Sequence, residues 1–536
     1  MLTVTDMSLQ FAGQTLYKDV NLHFSAGNCY GIIGANGAGK STLLRVLNGQ
    51  LEPTTGTVEL KKGGRLSTLE QDHFKFDEYT VLDTVYMGNP RLYEIMQEKD
   101  ALYAKENFTT EDGEKAGELE QEFSDMGGWE AEDEVRSLLT GLGLGNLPLE
   151  TRMGTMDGRD KVKVLLAKAL FGNPNVILLD EPTNGLDLPA IDWLEEFLIN
   201  YHDTVIVVSH DRHFLNTVCT HIVDVDYKQI KLYVGNYDFW YESSRLMQQL
   251  IRNQNKKREE KIKDLQNFIQ RFSANRSKSR QATSRKKMLD SIKLEEMPAS
   301  SRRYPFVGFT PEREAGKDIL TVENLTKTLD GVLVLDHVSF TAAKGDKIAF
   351  VGENEAAQTA LMQILAGEME PDEGSFKWGI STSQSYFPKD NSTYFDGHEE
   401  NLLQWLAPYS PDQTETFLRG YLGRMLFSGE DVFKPVKVLS GGERVRCMLS
   451  RMMLSSANVL LLDQPTDHLD LESITALTDG LAAFKGNVFI ATHDRQLLDT
   501  VADRIIELPE PGKELLDRRG GYEDFLEWKK ARMEQQ

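Results

Sequence analysis

Apolar residues fall in two rhythms along this chain. Short unbroken runs, Tyr30 to Ile33, Val176 to Leu179 and Val205 to Val208, read as strands buried on both faces. After the first run, Leu43, Leu44, Val46 and Leu47 return at helical spacing, so strand is followed by helix. The pattern then repeats. A shift of 318 residues places Phe350-Val351-Gly352-Glu353-Asn354 on the first strand and its loop. Leu178-Leu179-Asp180-Glu181-Pro182-Thr183 recurs as Leu461-Leu462-Asp463-Gln464-Pro465-Thr466, and Ser209-His210-Asp211-Arg212 as Thr492-His493-Asp494-Arg495, now 283 residues on. The chain therefore carries one α/β cassette twice. The smaller second offset gives the first copy a net insertion of about 35 residues, between Gln71 and Met156.

Two other stretches keep only the helical rhythm. From about Asn89 to Glu130, Tyr93, Met96, Leu102 and Tyr103, then Leu119, Phe123 and Met126, recur among acidic residues. They predict a pair of amphipathic helices joined at Thr109 to Gly113. Between the cassettes, Leu265, Phe268, Ile269 and Phe272 form a stripe, Ser273 to Ser284 is polar and basic, and Met288, Leu289 and Ile292 resume the stripe. This predicts a helical hairpin whose arm, at about 1.5 Å per residue over roughly 30 residues, reaches on the order of 45 Å. The expected division is a first cassette over 1–240, a linker over 241–305 and a second cassette over 306–536.

Composition sharpens this in one place. The 536 residues carry a net charge of −23, which argues against general polyanion binding. Yet Arg252 to Lys287 holds 13 Lys or Arg against three acidic residues, a local +10. A charge run is usually a solvated face. Here the positive charge is gathered where the rest of the chain has the wrong sign for RNA. Three scattered cysteines, Cys29, Cys219 and Cys447, make neither a disulfide framework nor a metal site. No apolar run is long enough to span a bilayer and no targeting segment opens the chain, so a cytoplasmic protein is expected.

The chemistry begins at Gly34-Ala35-Asn36-Gly37-Ala38-Gly39-Lys40-Ser41-Thr42, between the first strand and its helix. Glycines there let backbone N–H groups turn around a polyphosphate, Lys40 reaches the β/γ-phosphates, and the Ser41 hydroxyl faces Mg²⁺. The strand Val176 to Leu179 ends in Asp180, placed to hold Mg²⁺ through its water shell, and Glu181, placed to polarise the attacking water. His210 ends another strand as a sensor of the γ-phosphate. Gln71 is placed to link Mg²⁺ to the insertion, and Phe11 to stack on the base.

These residues resemble the ATP-binding cassette superfamily over nearly the whole chain. Its signature stands at Leu439-Ser440-Gly441-Gly442-Glu443, before a helix. The resemblance implies two cassettes packed head to tail within a monomer, with ATP between the phosphate loop of one and Ser440, Gly441, Gly442 and Glu443 of the other. Two cassettes in one chain, Glu181-Pro182-Thr183-Asn184, an insertion in the first and a basic linker together look like the ABC-F subfamily of ribosome-associated ATPases. The run Arg271 to Arg285 is similar to that subfamily's tRNA-facing tip. The resemblance implies a factor that enters the ribosomal E site and rests its linker on P-site tRNA and rRNA. Arg276, Lys278, Arg280, Arg285, Lys286 and Lys287 are the expected RNA contacts. Some members are general translation factors and others displace antibiotics. The chain ends soon after Gly521-Tyr522, so the additional C-terminal coiled domain of some relatives is not expected. Two other classes remain open: a motor subunit acting on DNA or a separate membrane component, and an inert regulator that keeps ATP as a structural ligand.

Departures from the family pattern cluster. The second loop has Glu355, Ala357 and Gln358 where the first has Gly37, Gly39 and Lys40, and Gln464 replaces Glu181. An engineered trap would explain Gln464 alone. Leu329 and Lys389 stand at the positions of Phe11 and Gln71, and the first signature reads Met156-Asp157-Gly158-Arg159-Asp160. A carboxylate about 4 Å from phosphate costs roughly 4 kcal/mol at an effective dielectric near 20 unless neutralised. By the head-to-tail rule every lesion falls in one composite site, which is expected to bind nucleotide weakly, with Arg159 and Lys389 as candidate substitute cations.

Overall fold

The computed structural model describes residues 2–11, 14–35, 37–105, 109–226, 228–272, 302–352, 354–509 and 511–533, with Ser284, Met288 and Leu289. Each cassette pairs a three-stranded antiparallel sheet with a six-stranded, mainly parallel one. In the first, β1 (Leu2–Phe11), β2 (Gln14–Phe24) and β4 (Thr55–Leu60) form the small sheet. The large sheet runs β5 (Leu66–Thr68), β6 (Val176–Asp180), β7 (Thr204–Val208), β3 (Asn28–Ile33), β8 (His221–Asp226), β9 (Gln229–Val234), antiparallel only at β8 and β9. The second cassette repeats the order with β10 (Asp318–Leu329) to β18 (Leu516–Arg519), so its central strands are β15 (Val459–Asp463), β16 (Asn487–Ala491) and β12 (Lys347–Val351).

The unbroken apolar strands follow from burial on both faces. Side chains alternate along a strand, so Val176 and Leu178 enter a core with the small sheet and the helix Lys40–Leu47. Ile177 and Leu179 point the other way, into a core with the helices Val81–Tyr86, Ala131–Gly141 and Gly158–Leu170. This places the carboxyl ends of β6 and β7, with Asp180, Glu181 and His210, at the edge where the loop after β3 ends.

The insertion is two helices, Pro90–Tyr103 and Thr110–Asp125. Their junction precedes the expected one. Thr109 caps the second helix by accepting from Asp112 N–H, while the Asp112 side chain accepts from Thr109 N–H, so Gly113 lies inside the helix. The buried stripe is Leu92, Ile95 and Leu102 against Ala116, Leu119 and Phe123, whereas Tyr103 faces outward and donates to Glu120. Leu92 and Ile95 share the core of Val85 and Leu165, so the arm is rooted in the cassette.

The linker helix, Tyr237–Phe272, begins within the first cassette, where Tyr237 and Trp240 are buried. Its 36 residues reach about 54 Å at about 1.5 Å per residue. The expected RNA contacts Arg276, Lys278, Arg280, Arg285, Lys286 and Lys287 lie outside the described residues. Where the chain returns, Arg302 donates to Asp224 Oδ1 at 2.7 Å, lies 2.9 Å from Glu472 Oε1 and 3.9 Å from Asp226 Oδ2, and stacks 4.5 Å from the Trp240 ring centroid. Asp224 and Asp226 belong to β8, and Glu472 to the helix Leu471–Ala483 of the second cassette. One guanidinium thus ties the linker to both cassettes.

Removing it takes from the buried carboxylates of Asp224, Asp226 and Glu472 the cation they share, a loss that typically costs about 3–5 kcal/mol. Arg302→Met should therefore lower the denaturant midpoint clearly. Arg302→Lys should recover part of it, since a point charge cannot span the same three partners. A midpoint unchanged in Arg302→Met would show that the cluster is not structural.

Candidate active site

A cavity of about 810 Å³ opens between the cassettes. On one side it is lined by Gly37, Gly39, Lys40, Ser41, Thr42, Gln71, Asp180, Glu181 and His210, and on the other by Gly441 and Gly442. The first phosphate loop therefore faces the second signature. Gly34 and Ser440 stand behind this lining. A Cβ on Gly34 would sit 2.5 Å from Val225 O, so glycine there serves packing against β8. Ser440 caps the helix Gly441–Leu454, accepting from Glu443 N–H while donating to Glu443 Oε2 at 2.9 Å. Asn36 and the side chain of Phe11 lie outside the described residues.

The loop is built for an anion. Gly37 and Gly39 have φ of +80° and +100°, and a Cβ on Gly39 would meet the Tyr17 hydroxyl at 2.1 Å. The helix Lys40–Leu47 starts directly behind, adding its N-terminal N–H groups. Lys40 Nζ donates to Gly34 O at 2.8 Å, and burial pulls its pKa down despite Glu181 nearby. Gln71 Nε2 donates to Asp180 Oδ2 at 2.9 Å, and burial raises the Asp180 pKa against the hydrogen bond from Ser41. Among the described residues no group of three or more His, Cys, Asp or Glu stands ready for a metal. Ser41, Gln71 and Asp180 instead form a partial oxygen set, which suits Mg²⁺ arriving with its own phosphates and water.

Glu181 has a strained backbone, φ +52°, that turns its carboxylate into the cavity. Its Oε2 accepts from His210 N–H at 3.1 Å, while among the described residues Oε1 is buried without a hydrogen bond and lies 3.4 Å from His210 Nε2. Burial pushes the Glu181 pKa up to about 8 and pulls that of His210 down to about 3. Once ionised, this carboxylate is the acceptor that a water-polarising base needs.

Several lining residues escaped sequence reasoning. Leu16, from β2, and Asp467 and His468, after β15, all face the cavity. His468 adopts φ +64° against the signature, so that a Cβ on Gly442 would sit 2.8 Å from His468 O. Its first-cassette counterpart is Gly185, a pairing visible in the repeat register. Gln464 also lines this cavity and, with φ +48°, repeats the strained backbone of Glu181.

The second loop is different. The helix Glu355–Ala366 begins three residues earlier in register than Lys40–Leu47, with Asn354 as its cap. Ala357 and Gln358 thus lie in a helix where the first copy has its left-handed glycine and lysine. Gln358 Nε2 donates to Gly352 O at 3.0 Å, mimicking Lys40 without its charge. The two candidate substitute cations are already engaged: Arg159 Nη1 and Lys389 Nζ each pair with one oxygen of Glu355. Asp157 caps its own helix by accepting from Asp160 N–H. The cavity beside this loop is about 340 Å³.

Fold and site together define a tandem P-loop nucleotide-binding protein. A family model described as ABC transporter matches residues 17–184 and 335–467, and a second of the same description matches 223–307. The ABC transporter ATP-binding protein YkpA of Bacillus subtilis (strain 168) is 61% identical, over 98% of this chain and 97% of its own. The probable ATP-binding protein YbiT of Escherichia coli O157:H7 is 41% identical, over 98% and 99%. The archaeal ribosome recycling factor aABCE1, solved with ribosomal stalk protein aP1, shares the fold, with a TM-score of 0.64, 19% identity, and coverage of 97% and 92%. The chain belongs to the ATP-binding cassette family, as a two-cassette ATPase of the ABC-F type. Among the described residues no helix is long and apolar enough to cross a membrane.

The raised Glu181 pKa has a measurable sign. Between about 4.5 and about 8 the folded state holds a proton that the unfolded state releases, so stability falls as pH rises through that window. Glu181→Gln removes this dependence. Its gain in nucleotide-free stability over wild type should grow from pH 5 to pH 8 and level off above, in denaturation series at each pH. A gain independent of pH would contradict the buried, protonated carboxyl.

Proposed function

We propose that this chain is an ATP-driven ribosome factor that acts in the cytoplasm as a monomer. It enters the E site, sets its linker on P-site tRNA and rRNA, and leaves after hydrolysis at the first composite site. In this reading Lys40, Ser41, Thr42, Gly37 and Gly39 hold the phosphates, Ser41, Gln71 and Asp180 hold Mg²⁺, and Glu181 with His210 positions the attacking water. Gly441 and Gly442 close over the γ-phosphate from the second cassette. The single observation that carries the reading is the long helix Tyr237–Phe272, leading from a chain of net −23 into a stretch of local net +10. Such charge suits a phosphate backbone such as that of RNA. Two structural neighbours support the direction, one titled a ribosome recycling factor and one described as ribosome-bound.

Arg302 supplies a route from site to linker, since its partner Glu472 sits on the helix Leu471–Ala483, whose Ile474 lines the cavity. Closure around ATP shifts the second cassette against the first and so moves the return of the linker.

The test is ribosome co-sedimentation of Glu181→Gln. Loss of the polarising base should cut turnover by about 10²–10³ and hold the protein closed on ATP. The variant should pellet with ribosomes in ATP and not without it. Replacing Arg276, Lys278, Arg280, Arg285, Lys286 and Lys287 by Glu in the same background should abolish pelleting while leaving ATP binding unchanged. Equal pelleting with and without ATP, or pelleting indifferent to the six charges, would refute the reading.

A further inference from the structure

Three replacements far apart in sequence meet at one point of the degenerate site. Glu355 stands at the register position of Gly37, a residue that lines the first cavity. Its carboxylate is nine-tenths buried, with Oε2 paired to Arg159 from the first signature and Oε1 to Lys389 from the Gln71 position. His493 Nε2, the counterpart of His210, lies 3.8 Å from Oε1. A cation on the signature, a cation at the magnesium position and the switch histidine are the groups a γ-phosphate would engage. Here they engage a side chain of the protein.

We propose that Glu355 is a built-in anion that replaces nucleotide at the second composite site and latches that interface shut whether or not ATP is bound. The loop that would compete has been remade to suit. With Ala357 and Gln358 in the helix Glu355–Ala366, the left-handed turns that aim N–H groups at a polyphosphate are gone, and the lysine that would attract one is neutral. Arg159 reaches Glu355 from the other cassette, so this contact closes the interface rather than merely neutralising a charge. The two halves then behave unlike each other: the first opens and shuts with ATP, and the second is the hinge about which it turns. This deepens the reading of a single hydrolytic site but does not depend on the ribosome.

The experiment follows distances across each half by pulsed electron paramagnetic resonance, with spin labels on cysteines introduced at exposed positions. The three native cysteines are buried. Labels at Arg152 and Glu373 report the second interface, and labels at Glu59 and Gln413 the first. On adding MgATP to Glu181→Gln, the first pair should shorten and the second should keep its nucleotide-free distance. In Glu355→Gln, and independently in Arg159→Glu, the nucleotide-free second pair should lengthen and broaden while the first keeps its response to ATP. Equilibrium dialysis with ATP should give one nucleotide per chain for Glu181→Gln. A second pair that moves with ATP as the first does, one that is indifferent to both latch variants, or two nucleotides per chain would overturn the latch. Ribosome binding enters none of these readouts, so their failure is separable from failure of the proposed function.

Discussion

A polyphosphate can be held away from bulk water only by a closed ring of N–H donors and cations, and here the ring is drawn from both cassettes. That constraint explains why two copies of one fold are kept in a single chain and packed head to tail. The loop after β3 supplies glycines, Lys40 and a helix N-terminus, and the other cassette supplies Gly441 and Gly442. Neither half is complete alone. The hydrolytic machinery can therefore be gated by the relative placement of rigid bodies, without remodelling either core.

The second composite site keeps part of this construction. Gly352 is retained at the position of Gly34, with φ +140° and space for a Cβ only 3.0 Å from Leu508 O. Packing, not phosphate, holds that glycine. The glycines that serve the anion have gone, and with them the lysine and the base. The strained backbone at Gln464 persists although its carboxylate does not, because Gln464 N–H still donates to Ala491 O at 2.8 Å, as Glu181 N–H does to Val208 O. Backbone geometry belongs to the fold, whereas side-chain charge belongs to the chemistry.

Much of this was legible in the chain. Strands buried on both faces leave unbroken apolar runs, and a loop that must turn left-handed leaves glycines, so β3, β6, β7 and the first loop could be placed from residues alone. The asymmetry was legible too, because an internal repeat supplies its own comparison. Four things were not. The arm junction was misplaced because Gly113 reads as a breaker, while the capping pair Thr109 and Asp112 lets the helix run through it. The early start of the helix Glu355–Ala366 depends on Asn354 as a cap, a choice made only once the glycines are absent. Arg159 and Lys389 were recognisable as cations near one site, but that both would pair with Glu355 is a matter of three-dimensional convergence. The Arg302 cluster joins residues from four separate stretches and has no local signal.

In the proposed function, ATP is hydrolysed at one composite site and not at the other. The most direct measurement is steady-state ATPase activity of Lys40→Ala beside Gln358→Ala, the two residues that occupy the same place in the two loops. Lys40→Ala should lose turnover by about 10²–10³, since a phosphate loop without its cation loses both binding and charge stabilisation. Gln358→Ala should stay within about twofold of wild type, because the Gln358 side chain donates to Gly352 O of its own loop and carries no charge. Comparable losses in the two variants would mean that both sites turn over, and the asymmetric account would be wrong.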